Sequence, residues 1–451
     1  MEVLAIILFA LIFILILKGY PVAFTLGGVS VLVGLALMVF APDYFSFSDF
    51  RLLANRMMGT IKNYVLIAIP LFIYMGIMLE KSGLAEALLE TMALLFGKMR
   101  GGLAISVVIV GALLAASTGI VGATVVTMGL ISLPTMMRRG YAPTLATGVV
   151  AASGTLGIII PPSIMLVLLA DTINSSNRGG DAVDVGTMFA SALLPGLLLV
   201  VIYVIYIAIR AFIQKDVAPA MTTEEITKFR GKNFTLRLIK AFVLPMTLII
   251  AVLGSIFAGI ASPTEAAAVG ALGATLLTLV NGSFSWKIVR EVGNETTHIT
   301  SMVFMILLGA TTFGLMFRHL GGDSYLIDLI TESNLSAMGF LALVLLIIFI
   351  AGFFIDFIEI IFIIVPVVTP LFNAYDMDML WVGILIALNL QTSFLTPPFG
   401  FSLFYLKGVA PEGITTQHIY RGVVPYIIIQ VLLIAVIVIY PDFIYLLFGK
   451  G

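Results

Sequence analysis

Two short stretches, "IIIPPSI" at residues 158–164 and "FLTPPFG" at residues 394–400, decide how this chain folds. Each places a proline pair, Pro161–Pro162 and Pro397–Pro398, deep inside a long apolar block. A proline removes a backbone donor, clashes with the carbonyl four residues back and turns the preceding residue away from helix. Two in a row therefore force non-helical backbone. The offset of 236 residues that carries Pro161 to Pro397 also carries Pro134 in "SLPTM" to Pro370 in "VTPLF". Further upstream, "GYPVAFTLGG" with Pro21 resembles "ASPTEAAAVG" with Pro263, and residues 61–83 line up with 299–322. Four segments in one order make an internal repeat: a first half over 1–209, a polar basic linker over 210–240 and a second half over 241–451.

The setting of that repeat is a membrane. Of the 451 residues 61% are hydrophobic and only 10% charged, with a formal net charge of −1. Apolar blocks recur at 3–17, 21–40, 64–79, 103–135, 144–170, 188–213, 238–259, 264–280, 299–317, 338–372, 381–406 and 423–447. Most approach or exceed the roughly 20 residues a membrane helix needs. Alternating ten-residue strands, the mark of a membrane β-barrel, are absent. The chain reads as an all-α polytopic membrane protein. No basic stripe suggests nucleic acid. The lack of cysteine excludes disulfides and thiolate metal sites, no histidine pair has metal-ligand spacing, and no phosphate-binding glycine loop supplies an ATP motor. Nor does any base stand beside a nucleophile, so the chain is not expected to be an enzyme. Only Met1 and Glu2 precede the first apolar run and Lys18 follows it, which predicts an extracytoplasmic N-terminus with no cleavable signal. Residues 210–240 carry seven Lys and Arg, so this linker is expected on the cytoplasmic side.

Repeats of this kind mark secondary transporters, whose sites lie where interrupted helices of the two halves meet. The interruptions are legible. Block 103–135 holds "AASTGIVGATVVTMG", with Ser117, Gly119 and Gly122 at its centre; at the repeat offset Ile120 aligns with Asp356 in "GFFIDFIEII". Asp356 and Glu359 are the only charged residues between Ser333 and Tyr375. A charge at that depth costs several kcal/mol by the lower estimates. Both blocks, 103–135 and 338–372, are read as broken helices whose free carbonyls hold a cation, with Asp356 adding charge. Residues 61–83, around Pro70, and 299–322, around Gly309, Thr311 and Thr312, are read as re-entrant hairpins. The proline-paired segments 144–170 and 381–406 are expected to line the substrate cavity with Ser153, Thr155, Ser163, Gln391, Thr392, Ser393 and Thr396. Helices resuming after such breaks point positive ends at a substrate carboxylate.

With these motifs quoted, the chain resembles the large membrane subunit of tripartite ATP-independent periplasmic (TRAP) transporters. The resemblance rests on "AIPLFIYMG", "ASTGIVGATVVTMGLISLPTMMRRGY", "GVVAASGTLGIIIPPSIMLVLLAD" and "SPTEAAAVG", and runs over nearly the whole chain. "GFFIDFIEIIFIIVPVVTP" and "NLQTSFLTPPFGFSLFYLKGVAP" look like the mannitol/chloroaromatic-type subgroup. The resemblance implies an elevator fold of two inverted repeats in a bacterial or archaeal inner membrane, importing a small organic anion with Na+ as coupling ion and no other cofactor. It further implies a small four-helix membrane subunit and an extracytoplasmic substrate-binding protein as partners. One sodium is expected near Ser117, Gly119 and Gly122, another near Asp356 with Gly309, Thr311 and Thr312. The alternative is a single-component symporter in which Asp356 and Glu359 relay protons.

Overall fold

The computed structural model describes residues 2–177, 181–222, 224, 226, 234–447 and 449, the side chains of 117, 118, 236 and 237 excepted. It is helical throughout these residues, and nine of the described helices are long and apolar enough to cross a membrane. The first half runs α1 (Glu2–Leu17), α2 (Val22–Phe40), α3 (Phe47–Ile61), a 3-10 turn (Tyr64–Ile67) leading into α4 (Ala68–Lys81), α5 (Leu84–Phe96), α6 (Gly102–Thr118), α7 (Val121–Arg138), α8 (Pro143–Thr155), α9 (Ile164–Ser176) and α10 (Val185–Ile213). After the linker come α11 (Leu244–Phe257), α12 (Pro263–Val280), α13 (Trp286–His319), α14 (Gly322–Glu332), α15 (Ala337–Ala351), α16 (Phe357–Ala374), α17 (Met379–Leu395), α18 (Phe401–Val409) and α19 (Thr416–Ile439). Local sequence starts these helices. Asp184 caps α10 by accepting from the Gly186 N–H at 2.7 Å, Asp378 caps α17 through Leu380 N–H at 2.9 Å, and α12 opens on Ser262–Pro263 with Glu265 completing a capping box.

The glycine-rich interruption between α6 and α7 reverses the chain. Gly119 is left-handed (φ 61°) and Ile120 extended (φ −116°, ψ 107°), a two-residue link of the kind that joins antiparallel helices. The far ends of the two helices lie together: the Gly101 N–H donates to Ala218 O at 3.0 Å and the Ala142 N–H to Val217 O at 2.9 Å. Helices α15 and α16 form the matching hairpin. Tyr375 Oη donates to Leu335 O at 2.7 Å across its base, and the Phe340 and Phe372 rings meet there at a tilt, 4.9 Å between centroids.

Three expectations are thereby corrected. Blocks 103–135 and 338–372 are hairpins, and the broken helices are the proline-paired segments, α8–α9 and α17–α18. Residues 299–319 belong to one unbroken helix, and 61–83 form a turn leading into a straight span. Pro70 breaks nothing: it sits in the first turn of α4, where its missing N–H has no partner to lose. A glycine cluster in an apolar block looks the same in sequence whether the helix kinks or doubles back. Two backbone torsions decide, and side-chain patterning does not report them. Gly309 keeps α13 helical because its small size serves contact: a Cβ there would lie 2.4 Å from Ala23 O of α2.

The two halves are inverted. The first broken helix starts at the base of one hairpin (Ala142) and ends at the base of the other, where Asn373 Nδ2 donates to Asn177 Oδ1 at 2.7 Å. Its two arms, of 13 residues each, together make about 40 Å of helix. The hairpin bases thus lie at opposite faces and the tips meet between them. Packing is reciprocal as well: α9 lies on α16 and α18 on α7; α8 on α19 and α17 on α10; α2 on α13 and α12 on α4.

Candidate functional site: the hairpin tips and helix breaks

This topology brings eight helix ends to the middle of the molecule. Helices α6, α8, α15 and α17 end there, and α7, α9, α16 and α18 begin there. The site therefore offers both carbonyl ends and positive N-terminal ends, which suit a cation and an anion respectively.

At the first tip a Cβ on Gly119 would lie 3.1 Å from Ile164 N, so the tip rests on the first residue of α9, just past Pro161–Pro162. Only glycine combines that approach with a positive φ. Gly122, one turn on, faces Tyr405 of α18, whose ring a Cβ would meet at 3.0 Å. The side chain of Ser117 lies outside the described residues.

At the second tip the N–H groups of Gly352, Phe353, Phe354 and Ile355 donate back to Ile348, Ile350 and Ala351 at 2.9–3.1 Å. Among the described residues the carbonyls of these four accept no hydrogen bond. Asp356 then opens α16, and Glu359 Oε2 accepts the Asp356 N–H at 3.3 Å in a reciprocal capping box. That is why two acids stand three apart in so apolar a run. Asp356 Oδ1 is cut off from solvent and has no hydrogen-bond partner. A carboxylate oxygen and four successive carbonyls without donors are all hard oxygen donors. The tip is fastened to α17, where Ser393 Oγ donates to Phe349 O at 2.6 Å and Asn389 Nδ2 to Leu345 O at 2.8 Å.

The proposed lining residues divide. Ser153, Thr155, Thr392 and Thr396 donate to carbonyls of their own helices at 2.7–3.1 Å, leaving only lone pairs to offer. Ser163 Oγ closes the first break by donating to Ile158 O at 2.8 Å, and Ser402 does the same for the second through Phe394 O at 2.6 Å. Gln391 differs: fully buried, it has neither amide atom paired. It holds the place in its half that Thr155 holds in the other. Gly309, Thr311 and Thr312, expected near Asp356, have these contacts: Gly309 packs on α2, and the two hydroxyls donate to Leu307 O and Leu308 O of their own helix. Sequence reading also missed Tyr405, which sits at Gly122 and within electrostatic range of Asp356; nothing in "FSLFYLKG" sets it apart. Among the described residues no group of three or more His, Asp or Glu could hold a metal ion.

Comparison with known proteins agrees with this architecture. Residues 9–443 match the family model described as "Tripartite ATP-independent periplasmic transporter, DctM component". The chain is 31% identical over 414 residues to the C4-dicarboxylate TRAP transporter large permease protein of Pseudomonas aeruginosa, covering 90% of each. It is 28% identical to the sialic acid TRAP large permease of Vibrio cholerae, covering 96% of each, and 27% identical to the ectoine TRAP large permease of Halomonas elongata, covering 95% of each. Among solved structures it shares its fold with the YdaH transporter of Alcanivorax borkumensis (TM-score 0.64, 14% identity, 88% of this chain and 90% of that one). MtrF of Neisseria gonorrhoeae is a second (TM-score 0.56, 14% identity, 90% and 87%).

Proposed function

The chain belongs to the DctM component family of tripartite ATP-independent periplasmic transporters, and on that premise we propose that it is the permease of a sodium-driven importer of a small organic acid. In this reading the two hairpins and two broken helices form a transport domain that slides against a scaffold built on α1–α4 and α11–α13. Sodium binds the second tip, through Asp356 and the carbonyls of residues 352–355, and the first tip around Gly119. The substrate anion follows at the N-terminal ends of α7, α9, α16 and α18, beside Gln391. An extracytoplasmic binding protein delivers it, and a small membrane subunit braces the scaffold. The relatives carry C4-dicarboxylates, sialic acid and ectoine by name, so a carboxylate is the shared chemistry.

Charge sets the orientation in an inner membrane. Lys98, Arg100, Arg138, Arg139 and Lys215 gather near the base of the first hairpin, whereas Asp181, Asp184, Asp376 and Asp378 lie near the base of the second. By the positive-inside rule the first base is cytoplasmic.

The observation that carries the proposal is the buried, unpartnered Asp356 Oδ1 at the end of a tip whose preceding four residues, among the described residues, have carbonyls that accept no hydrogen bond. Sodium fixing these oxygens before the anion binds is what couples the two. Uptake into proteoliposomes, with both partner proteins present and pH fixed, is expected to stop when potassium replaces sodium. Uptake at an undiminished rate in potassium would reject the coupling.

A further inference from the structure

The polar linker begins as a strap across the base of the first hairpin. At the end of α10 the Val217 N–H donates to Gln214 O at 3.2 Å, and the chain turns there. Within residues 217–221 three backbone hydrogen bonds then fasten three helix ends. Val217 O accepts the Ala142 N–H at the start of α8 (2.9 Å), and Ala218 O accepts the Gly101 N–H at the start of α6 (3.0 Å). The Met221 N–H donates to Gly97 O at the end of α5 (2.8 Å). Terminal N–H and C=O groups find no partner inside their own helices, so the strap supplies what these ends lack. Its residue types suit the task. Ala218 is fully buried, Pro219 brings no N–H that would need a partner, and a Cβ on Gly97 would lie 2.5 Å from Met221 Sδ.

Helix α5 joins α4, in the proposed scaffold, to α6, in the proposed transport domain. The strap holds its far end. The near end is built differently: Gly83 is left-handed (φ 73°), and a Cβ there would meet nothing within 4 Å. Gly321, at the matching place before α14, is left-handed as well (φ 78°). Glycine takes up left- and right-handed backbone with similar ease, so an unpacked glycine is where a chain bends at least cost. We infer that residues 217–221 clamp α5, the first hairpin and the start of α8 into one body, so that sliding bends the first connection at Gly83 and not between α5 and α6. This rests on the sliding motion described above, and gives it a bending point and the linker a task.

The clamp predicts which covalent ties transport tolerates. The chain has no cysteine, so Ala142→Cys with Val217→Cys gives a single thiol pair. In the full chain, with both partner proteins in proteoliposomes, oxidation is expected to link the pair and leave uptake at the reduced rate, because the two positions travel together. Ala218→Glu sets a carboxylate at a buried position and loosens the strap. Uptake is then expected to fall severalfold with the half-saturating sodium concentration unchanged, since the tips are untouched. Oxidising the 142–217 pair in that background should restore it, which a merely damaged fold would not allow. Uptake that stops on oxidation and returns on reduction overturns the clamp. So does a pair that fails to link, or an Ala218→Glu chain that transports at the full rate. If Ala218→Glu does not fold, the result with the pair alone decides. Asn63→Cys with Asp171→Cys, across the seam, separates the clamp from the motion it serves. Should both links stop uptake, the clamp falls and sliding stands; should the seam link leave uptake untouched, sliding falls and the clamp with it.

Discussion

Asp356 and Glu359 share one turn of helix yet have separable tasks. Asparagine caps a helix as well as aspartate, so Asp356→Asn should fold, keep the tip and lose only charge. The sodium concentration for half-maximal uptake is expected to rise by about tenfold or more, equivalent to about 1.4 kcal/mol, or uptake to vanish; an unchanged sodium dependence would clear Asp356 of any part in binding. Glu359 acts on the backbone, and glutamine at the third helical position can make the same bond. Glu359→Gln is therefore expected to retain uptake where Glu359→Ala loses much of it. Gly119 tests the other tip. Alanine there pays about 1–2 kcal/mol for the left-handed backbone and sets its Cβ 3.1 Å from Ile164 N, so both melting temperature and uptake should drop. At this scale the sequence showed which residues were unusual. It did not show what they touched: the acids cap a helix, and Gly309, in a run that looked equally weak, serves a helix crossing.

Where a helical block lies is more legible than how it is connected. Apolar length located the helical blocks and the paired prolines located two of their breaks, because solvation energy and the missing N–H act locally, whereas the interruptions expected around Pro70 and Gly309 are absent. Whether a block kinks or reverses depends on two torsions and on what waits beyond the turn, here Ile164 for the first tip and Ser393 for the second. Crossings between elements were equally hidden. A Cβ on Gly148 of α8 would come within 2.1 Å of Gly422 O on α19, so Gly148→Ala must push the two helices apart. Its melting temperature in detergent is expected to fall by several degrees, on the order of 2–4 °C per kcal/mol for proteins of 150–250 residues and less per kcal/mol for a longer chain. Gly408→Ala, where nothing lies within 4 Å, should be neutral or slightly stabilising. Equal melting for the two would deny the close crossing.

Across the whole molecule the proposed motion has a visible seam. Polar ties cross it, among them Asn63 to Asp171 at 2.6 Å, and Thr127 Oγ1 of α7 donating to Glu80 Oε1 of α4 at 2.5 Å. Sliding must break both. Asn63→Cys with Asp171→Cys, in a chain free of other thiols, is expected to cross-link under oxidation, stop uptake and recover on reduction. A fully cross-linked chain that still transports at the uncross-linked rate would exclude sliding along this seam.

What the sequence determined by itself is the medium, the repeat and the family, since hydrophobic run length, paired prolines at a fixed offset and motif order need no neighbours to be read. Only the tertiary structure decided that the glycine breaks turn back, that the halves oppose each other, and that Asp356 Oδ1 is buried without a partner. Those facts depend on contacts between segments more than a hundred residues apart in places, such as Gly122 against Tyr405. Burial and backbone geometry at such contacts are properties of the packed chain, and no local pattern of residue types encodes them.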